Sequence, residues 1–249
     1  RMARQKAMGI VPPDNRLPAR NDGVKAWDDY SPDERRVFTR LQAAFAGMLD
    51  HADQHLARLI GFLDQAGIRD NTLVLVLSDN GASQEGGPWG FVNAMGPYNC
   101  RPEPMAEKLR RIDEIGGPDS HSNFPHGWAM ASNTPLRRYK QNTHGGGIRD
   151  PFVMNWPKKI VARGELRHQF VHACDLTPTL LEMIGIDAPE EIAGVAQMPI
   201  EGESFARSMV PAPPWMTRRI GGAAAACVLV VMRQRPRLKR MARIVVFRA

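Results

Sequence analysis

A long helical pattern ends at Gly67, and within a few residues an apolar run, Thr72-Leu-Val-Leu-Val-Leu77, begins. No other junction in the chain narrows the choice of fold as much. The helical part opens on Ser31, a good N-cap, with Pro32 at the first helical position and Glu34 three residues past the cap. Val37, Phe38, Leu41, Phe45, Met48 and Leu49 then recur at helical spacing, and the pattern continues through Ala52, Leu56, Leu59 and Ile60 to Leu63. The 72–77 run shows no alternation, so both faces are expected to be covered, as in the middle of a parallel sheet between helices. Ser78-Asp79-Asn80-Gly81 follows it directly. Helix, short turn, buried strand and polar loop make half of an α/β unit, and ligand sites in such folds gather at the carboxyl ends of strands. The expected fold class is therefore α/β, a mostly parallel sheet flanked by helices.

The remaining chain is less regular. Residues 1–30 are broken by prolines, asparagines and Gly23, and 84–135 form a long Gly-, Pro- and Asn-rich excursion with one helix expected at Pro104 to Ile115. A second strand is expected at Phe152-Val-Met-Asn-Trp156, closed by Pro157. Asp175 is placed to cap a helix through Thr177, Leu180, Leu181 and Ile184 that ends at Gly185.

At 43% hydrophobic and 24% charged residues, the chain has enough apolar surface for a core, which excludes wholesale disorder. Its net charge of +7 suggests nucleic acid, but the distribution argues otherwise. From Met209 onward there are nine basic residues and no acidic ones, while the rest carries 24 basic and 26 acidic. This divides the chain into a body, 1–208, and a basic tail, 209–249. The tail reads as non-native sequence or as disordered, with a membrane-touching segment or an RNA-binding arm as alternatives. No nucleic-acid partner is expected for the body. No transmembrane segment is expected either, because the longest apolar stretch, Ala223 to Met232, has ten residues against the roughly 18 a span needs. Cys100, Cys174 and Cys227 are too scattered for a disulfide framework.

Two clusters carry candidate chemistry. Asp79 and Asn80 offer the oxygen donors a hard cation prefers, although Asp-Asn-Gly is also an ordinary way to end a strand. The second cluster runs from Asn133-Thr-Pro-Leu-Arg-Arg-Tyr-Lys140 to His144-Gly-Gly-Gly-Ile-Arg149. Lys140 would neutralise an anion, His144 would donate or shuttle a proton, and the glycines would let the backbone approach a ligand. Solvent charges around a flexible loop are the alternative. His51 and His55, four apart on the long helix, lack the Glu of a His-Glu-x-x-His motif and read as decoration of its polar face. Cys174 reads as a small buried hydrophobe.

Taken together, Thr72 to Gly81, Gly127-Trp128 with Asn133 to Lys140, Gly145-Gly-Gly-Ile-Arg149 with Pro151, Trp156-Pro157 and Asp175-Leu-Thr-Pro-Thr-Leu-Leu181 resemble the type I sulfatases, arylsulfatases in particular. The resemblance spans roughly residues 25–208. It implies an alkaline-phosphatase-like α/β fold, incomplete here, and hydrolysis of small-molecule sulfate esters with Ca²⁺ in preference to Mg²⁺. It further implies that Asp79 and Asn80 are calcium ligands and that Lys140, with His144 beside it, contacts the substrate sulfate. Gly145 stands where the family commonly has Glu. The family's formylglycine arises within Cys/Ser-x-Pro-x-Arg, a motif absent from this sequence, since Cys100 is followed by Arg101-Pro102-Glu103-Pro104. The family's amino-terminal Asp pair and its Gly-Lys-x-His segment are also missing. Negligible turnover by these 249 residues alone is therefore expected. A phosphate or phosphonate ester hydrolase of the same superfamily and a catalytically inactive remnant are the competing readings.

Overall fold

The computed structural model describes residues 1–160 and 164–209, together with the backbone of a strand at 245–248. In chain order its elements are α1 (Met2–Ala7), α2 (Pro32–Gln65), β1 (Val74–Leu77), α3 (Met95–Tyr98), α4 (Met105–Arg110), α5 (His126–Ser132), α6 (Gly145–Ile148), β2 (Pro151–Asn155), β3 (Glu165–Leu166), α7 (Leu176–Ile184), β4 (Glu191–Ile192), β5 (Val195–Ala196) and β6 (Val245–Arg248). They fall into two compact units. The first holds Arg1–Gly61 and Ser78–Asp150, and the second holds Phe62–Leu77 and the described residues from Pro151 onward.

In the first unit, α2 starts as its sequence dictates. The Glu34 amide donates to Ser31 Oγ at 3.2 Å and the Ser31 amide donates to Glu34 Oε2 at 2.6 Å, a reciprocal capping box. Val37, Phe38 and Leu41 then enter a core with Tyr30, Val92, Ile115, Phe124 and Tyr139. Tyr30 meets Phe38 edge-on at 5.1 Å. The later part of the apolar stripe behaves differently: Met48 is 57% exposed and Leu59 52%. The helix expected at 104–115 forms as α4 followed by a 3₁₀ turn at Ile112–Glu114. The long excursion is tied internally by the Glu103 carboxylate, which accepts from the Val92 and Asn93 amides at 2.7 and 3.0 Å.

The second unit contains the sheet, in the order β1-β2-β6-β3. Both strands expected from the sequence are present, but the pairing corrects the expectation of a mostly parallel sheet. β1 runs antiparallel to β2, with Val74 opposite Asn155 and Leu77 opposite Phe152; β2 is antiparallel to β6, and only β3–β6 is parallel. β1 is not covered on both faces either. It lies at the edge of the sheet among the described residues, Val74–Val76 are half-buried, and Leu77 is 52% exposed. An unbroken apolar run shows that a strand tolerates burial on both faces, and it does not supply the partners that would bury it. Phe152, Met154, Trp156, Ile160, Val171 and Met183 make this unit's core.

α7 begins after Asp175 and ends at Gly185, whose φ of 75° is the left-handed conformation that glycine adopts without strain. The Asp175 carboxylate does not cap α7. It accepts from the amides of His172 at 2.7 Å and Glu203 at 3.0 Å. Those two bonds, the His172 one foremost, hold its carboxyl below the ordinary value. Cys174 beside it is exposed, contrary to the expectation of a buried hydrophobe. Of the tail expected at 209–249, the structure describes Met209, buried at the end of a 3₁₀ turn at Ala206–Met209, and the β6 backbone; the rest of that expectation lies outside the described residues.

Candidate functional site

The site lies in the first unit, where the 78–85 turn meets the 133–147 loop. Within the turn, Ser78 Oγ donates to the Asn80 carbonyl at 2.8 Å. Asn80 Nδ2 donates to the Gly81 carbonyl at 3.0 Å, which commits the nitrogen end of this amide and leaves Oδ1 as its oxygen donor. The Gly81 amide donates to the Gly147 carbonyl at 3.3 Å. The approach is so close that a Cβ on Gly81 would stand 1.7 Å from the Gly146 carbonyl oxygen. Gly146 is equally confined, because a Cβ there would lie 2.1 Å from the Arg138 carbonyl oxygen. The glycine run thus serves the chain's own backbone, where the sequence suggested an approach to a ligand.

Buried Asn133 locks the two segments together. Its Oδ1 accepts from the Ala82 amide at 3.0 Å, and its Nδ2 donates to the Arg138 and Gly146 carbonyls at 3.0 and 2.8 Å. The Lys140 amide returns a bond to the Ala82 carbonyl at 3.1 Å. The Lys140 ammonium meets Glu85 Oε1 at 3.1 Å, with the two side chains 32% and 31% exposed. A pair this open to solvent contributes little to stability, and its consequence is to fix where the ammonium stands. The bond from Lys140, followed by one from Ser83 Oγ at 2.9 Å, holds the Glu85 carboxyl below the ordinary carboxylate range.

Asp79 is exposed on the turn. Asp150, the last described residue of this unit, has a buried Oδ1 that receives no hydrogen bond from the described residues. Burial, and then the charge of Asp79, push the Asp150 carboxyl up to about 6. The oxygen-only donors Asp79, Asn80 Oδ1 and the orphaned Asp150 Oδ1 match the chemistry of a hard cation such as Ca²⁺. Their number falls short of a full shell, and no group of three or more His, Cys, Asp or Glu side chains among the described residues is arranged to hold a metal.

His144 is exposed and occupies the N-cap position of α6 without capping it through its side chain. His126, which no motif singles out, is built into the junction instead. Its Nε2 donates to the Gln84 carbonyl at 3.0 Å and its ring stacks on Tyr139 at 5.4 Å. Burial lowers its pKa, partly offset by the Gln84 bond. Pro125 and Gly127, either side of it, line a cavity of about 690 Å³ with Trp27, Trp128 and Lys25.

The structure therefore joins the backbone segments that carry Asp79, Asn80 and Lys140, while the ammonium of Lys140 is given to Glu85. Sequence reasoning missed Glu85, Asn133, His126 and Asp150. Asn133 opens the quoted lysine motif and Asp150 follows Arg149, so proximity to those motifs was the available signal. His126 directly precedes the Gly127-Trp128 pair, and Glu85 becomes legible only when segments some 55 residues apart are brought together.

The family model described as Sulfatase matches residues 14–186. An uncharacterized sulfatase of Schizosaccharomyces pombe is 29% identical over 227 residues, covering 89% of this chain and 37% of that protein. The arylsulfatase of Klebsiella aerogenes is 30% identical over 206 residues, covering 82% of this chain and 42% of its own length. The N-acetylgalactosamine-6-sulfatase of Rattus norvegicus is 26% identical over 153 residues, 61% of this chain and 22% of the relative. The chain thus spans about two fifths of the first two proteins. No helix among the described residues is long and apolar enough to cross a membrane. A match across most of the body, with the expected motifs in order, means that this chain belongs to the sulfatase family.

Proposed function

We propose that this chain carries the sulfate-binding lysine and part of the calcium site of a sulfuric ester hydrolase that acts on small-molecule sulfate esters. One observation carries the reading: the loop of Lys140 is hydrogen-bonded to the turn of Asp79 and Asn80, although some sixty residues separate them in sequence. Lys140 offsets the negative charge of the sulfate, and Glu85 sets the position of its ammonium while leaving further N–H groups for the anion. His144, exposed at the start of α6, supplies a second donor to the sulfate. Asp79 and Asn80 hold Ca²⁺, with Asp150 available as a further oxygen donor. When bound, the cation supplies Lewis-acid polarisation of the sulfate oxygens. The aromatic cavity that begins one residue either side of His126 supports an ester with an aromatic or apolar alcohol. The family's formylglycine nucleophile is part of this reading for the whole enzyme.

Calorimetric titration of the 249-residue chain with sodium sulfate, in calcium at low ionic strength, tests the assignment. Lys140→Ala should weaken sulfate binding at least tenfold, and Glu85→Gln should tighten it by removing the competing carboxylate. Sulfate affinity unchanged in Lys140→Ala would overturn the role given to the lysine, and a stronger preference for inorganic phosphate would move the assignment to phosphate esters.

A further inference from the structure

The middle of α2 brings two imidazoles together outside the site described above. His51 and His55 are both exposed, and their Nε2 atoms lie 3.0 Å apart with ring centroids at 4.3 Å. The spacing of four residues puts them one turn apart on the same face of the helix. A contact this short between two ring nitrogens requires one donor and one acceptor. Arg58 settles which is which. Its Nη1 lies 3.0 Å from His55 Nδ1, and because a guanidinium only donates, that Nδ1 accepts. His55 therefore carries its proton on Nε2 and donates it to the lone pair of His51 Nε2.

We propose that His51 and His55 form a bidentate site for a divalent transition-metal ion, with Cu²⁺ and then Ni²⁺ preferred. The metal displaces the shared proton and stands off the line that joins the two nitrogens, so each ring swings to turn its lone pair toward the ion. Both Nε2 lone pairs are donated to the ion, and the His55 proton transfers through solvent to Nδ1. That nitrogen then stops accepting from Arg58, whose guanidinium turns to water. Neither imidazole changes its total proton count, and solvent water fills the remaining coordination positions.

The preference follows from the distance. Two nitrogens bound at about 2.0–2.1 Å stand about 2.9 Å apart at right-angled positions and about 3.3–3.4 Å apart at tetrahedral ones. The observed 3.0 Å is set by the hydrogen bond, and from it the right-angled arrangement of square-planar or tetragonal Cu²⁺ and Ni²⁺ needs the smaller movement of the rings. Tetrahedral Zn²⁺ would have to spread the rings. Imidazole nitrogen suits these borderline ions, and the affinity series places Cu²⁺ first among them. The oxygen-rich Asp79 turn selects the opposite class of cation, so the two sites do not compete.

Titration of the full 249-residue chain with Cu²⁺, Ni²⁺ and Zn²⁺ in separate experiments, followed by calorimetry and by the Cu²⁺ electron paramagnetic resonance spectrum, tests this. The expected result is one strongly bound Cu²⁺ per chain whose spectrum shows two coupled nitrogens, with affinity falling from Cu²⁺ to Ni²⁺ to Zn²⁺. His51→Ala and His55→Ala should each weaken Cu²⁺ binding at least tenfold and remove one nitrogen coupling. Both positions are exposed on a helix, where alanine is well tolerated, and the helical circular dichroism of each variant confirms its fold. Arg58→Ala should tighten binding a few-fold, because it removes both a positive charge and the competing hydrogen bond. Cu²⁺ binding retained in both histidine variants, or Zn²⁺ bound more tightly than Ni²⁺, would overturn the site or its right-angled geometry, respectively.

Discussion

Where the 78–85 turn meets the 133–147 loop, the first unit is held by backbone groups, one buried carboxamide and glycines with no room for a side chain. The second unit is held at β2 and α7 by Phe152, Met154, Trp156 and Met183 packed against one another. An apolar core of the second kind depends on volume, so it weakens in proportion to what is removed and relaxes partly around a gap. A backbone junction has no such slack. Carbonyl oxygens cannot rotate out of the way as a side chain does, and each bond lost strands a partner whose desolvation has already been incurred. The region nearest the proposed chemistry therefore has the tightest tolerance, which suits a site whose lysine must stand at a fixed place.

Adding one methyl group at the junction should have the largest effect. In Gly146→Ala the new Cβ would fall 2.1 and 2.5 Å from the Arg138 and Arg137 carbonyl oxygens, so the loop must shift and the Asn133 bonds break with it. The expected loss is about 4 kcal/mol or more, at the upper end for a single substitution. It would be read as a fall in the urea midpoint together with loss of sulfate binding. A variant that kept both would show that the loop has more freedom than its contacts allow. Removing side-chain volume from the other unit should cost somewhat less. Met154 is fully buried on β2, and Met154→Ala should lower stability by about 2–5 kcal/mol through the cavity it leaves. Equal or smaller damage from Gly146→Ala than from Met154→Ala would reverse the ranking of the two regions.

The same contrast marks what the sequence could and could not reveal. The start of α2 was legible because Ser31 and Glu34 act within one turn, and the end of α7 because Gly185 alone supplies a left-handed residue. Both β1 and β2 were legible as strands. Their antiparallel pairing was not, because Val76 and Val153 find each other across 77 residues and nothing local encodes the direction. The exposure of Met48 and Leu59 escaped for a related reason, since helical periodicity identifies a face and says nothing of what covers it. At the candidate site, Asp79, Asn80 and Lys140 stood out as residue types suited to a cation and an anion. The partners that position them, Asn133 and Glu85, are ordinary polar residues whose importance arises only from long-range hydrogen bonds.

The smallest expected effect concerns pH and tests whether His126 belongs to the junction. Its ring stacks on Tyr139 and donates from Nε2 to the Gln84 carbonyl, and burial, partly offset by that bond, lowers its pKa in the folded chain below the ordinary value near 6.5. As pH falls past the ordinary value, the unfolded chain takes up this proton while the folded chain still resists it. Unfolding then binds protons, so the contribution of His126 is complete above about pH 6.5 and is lost as pH falls toward the folded pKa. His126→Phe keeps an aromatic ring against Tyr139 but cannot donate to Gln84 or titrate. Urea midpoints of both proteins at pH 7.5, 6.5 and 5.5 should show the parent more stable at the highest pH and the gap closing steadily below it. The remaining histidines are common to both proteins, so their titration cancels in the difference. A gap that stayed constant with pH would remove His126 from the junction and leave the glycine and asparagine contacts to hold the two segments without it.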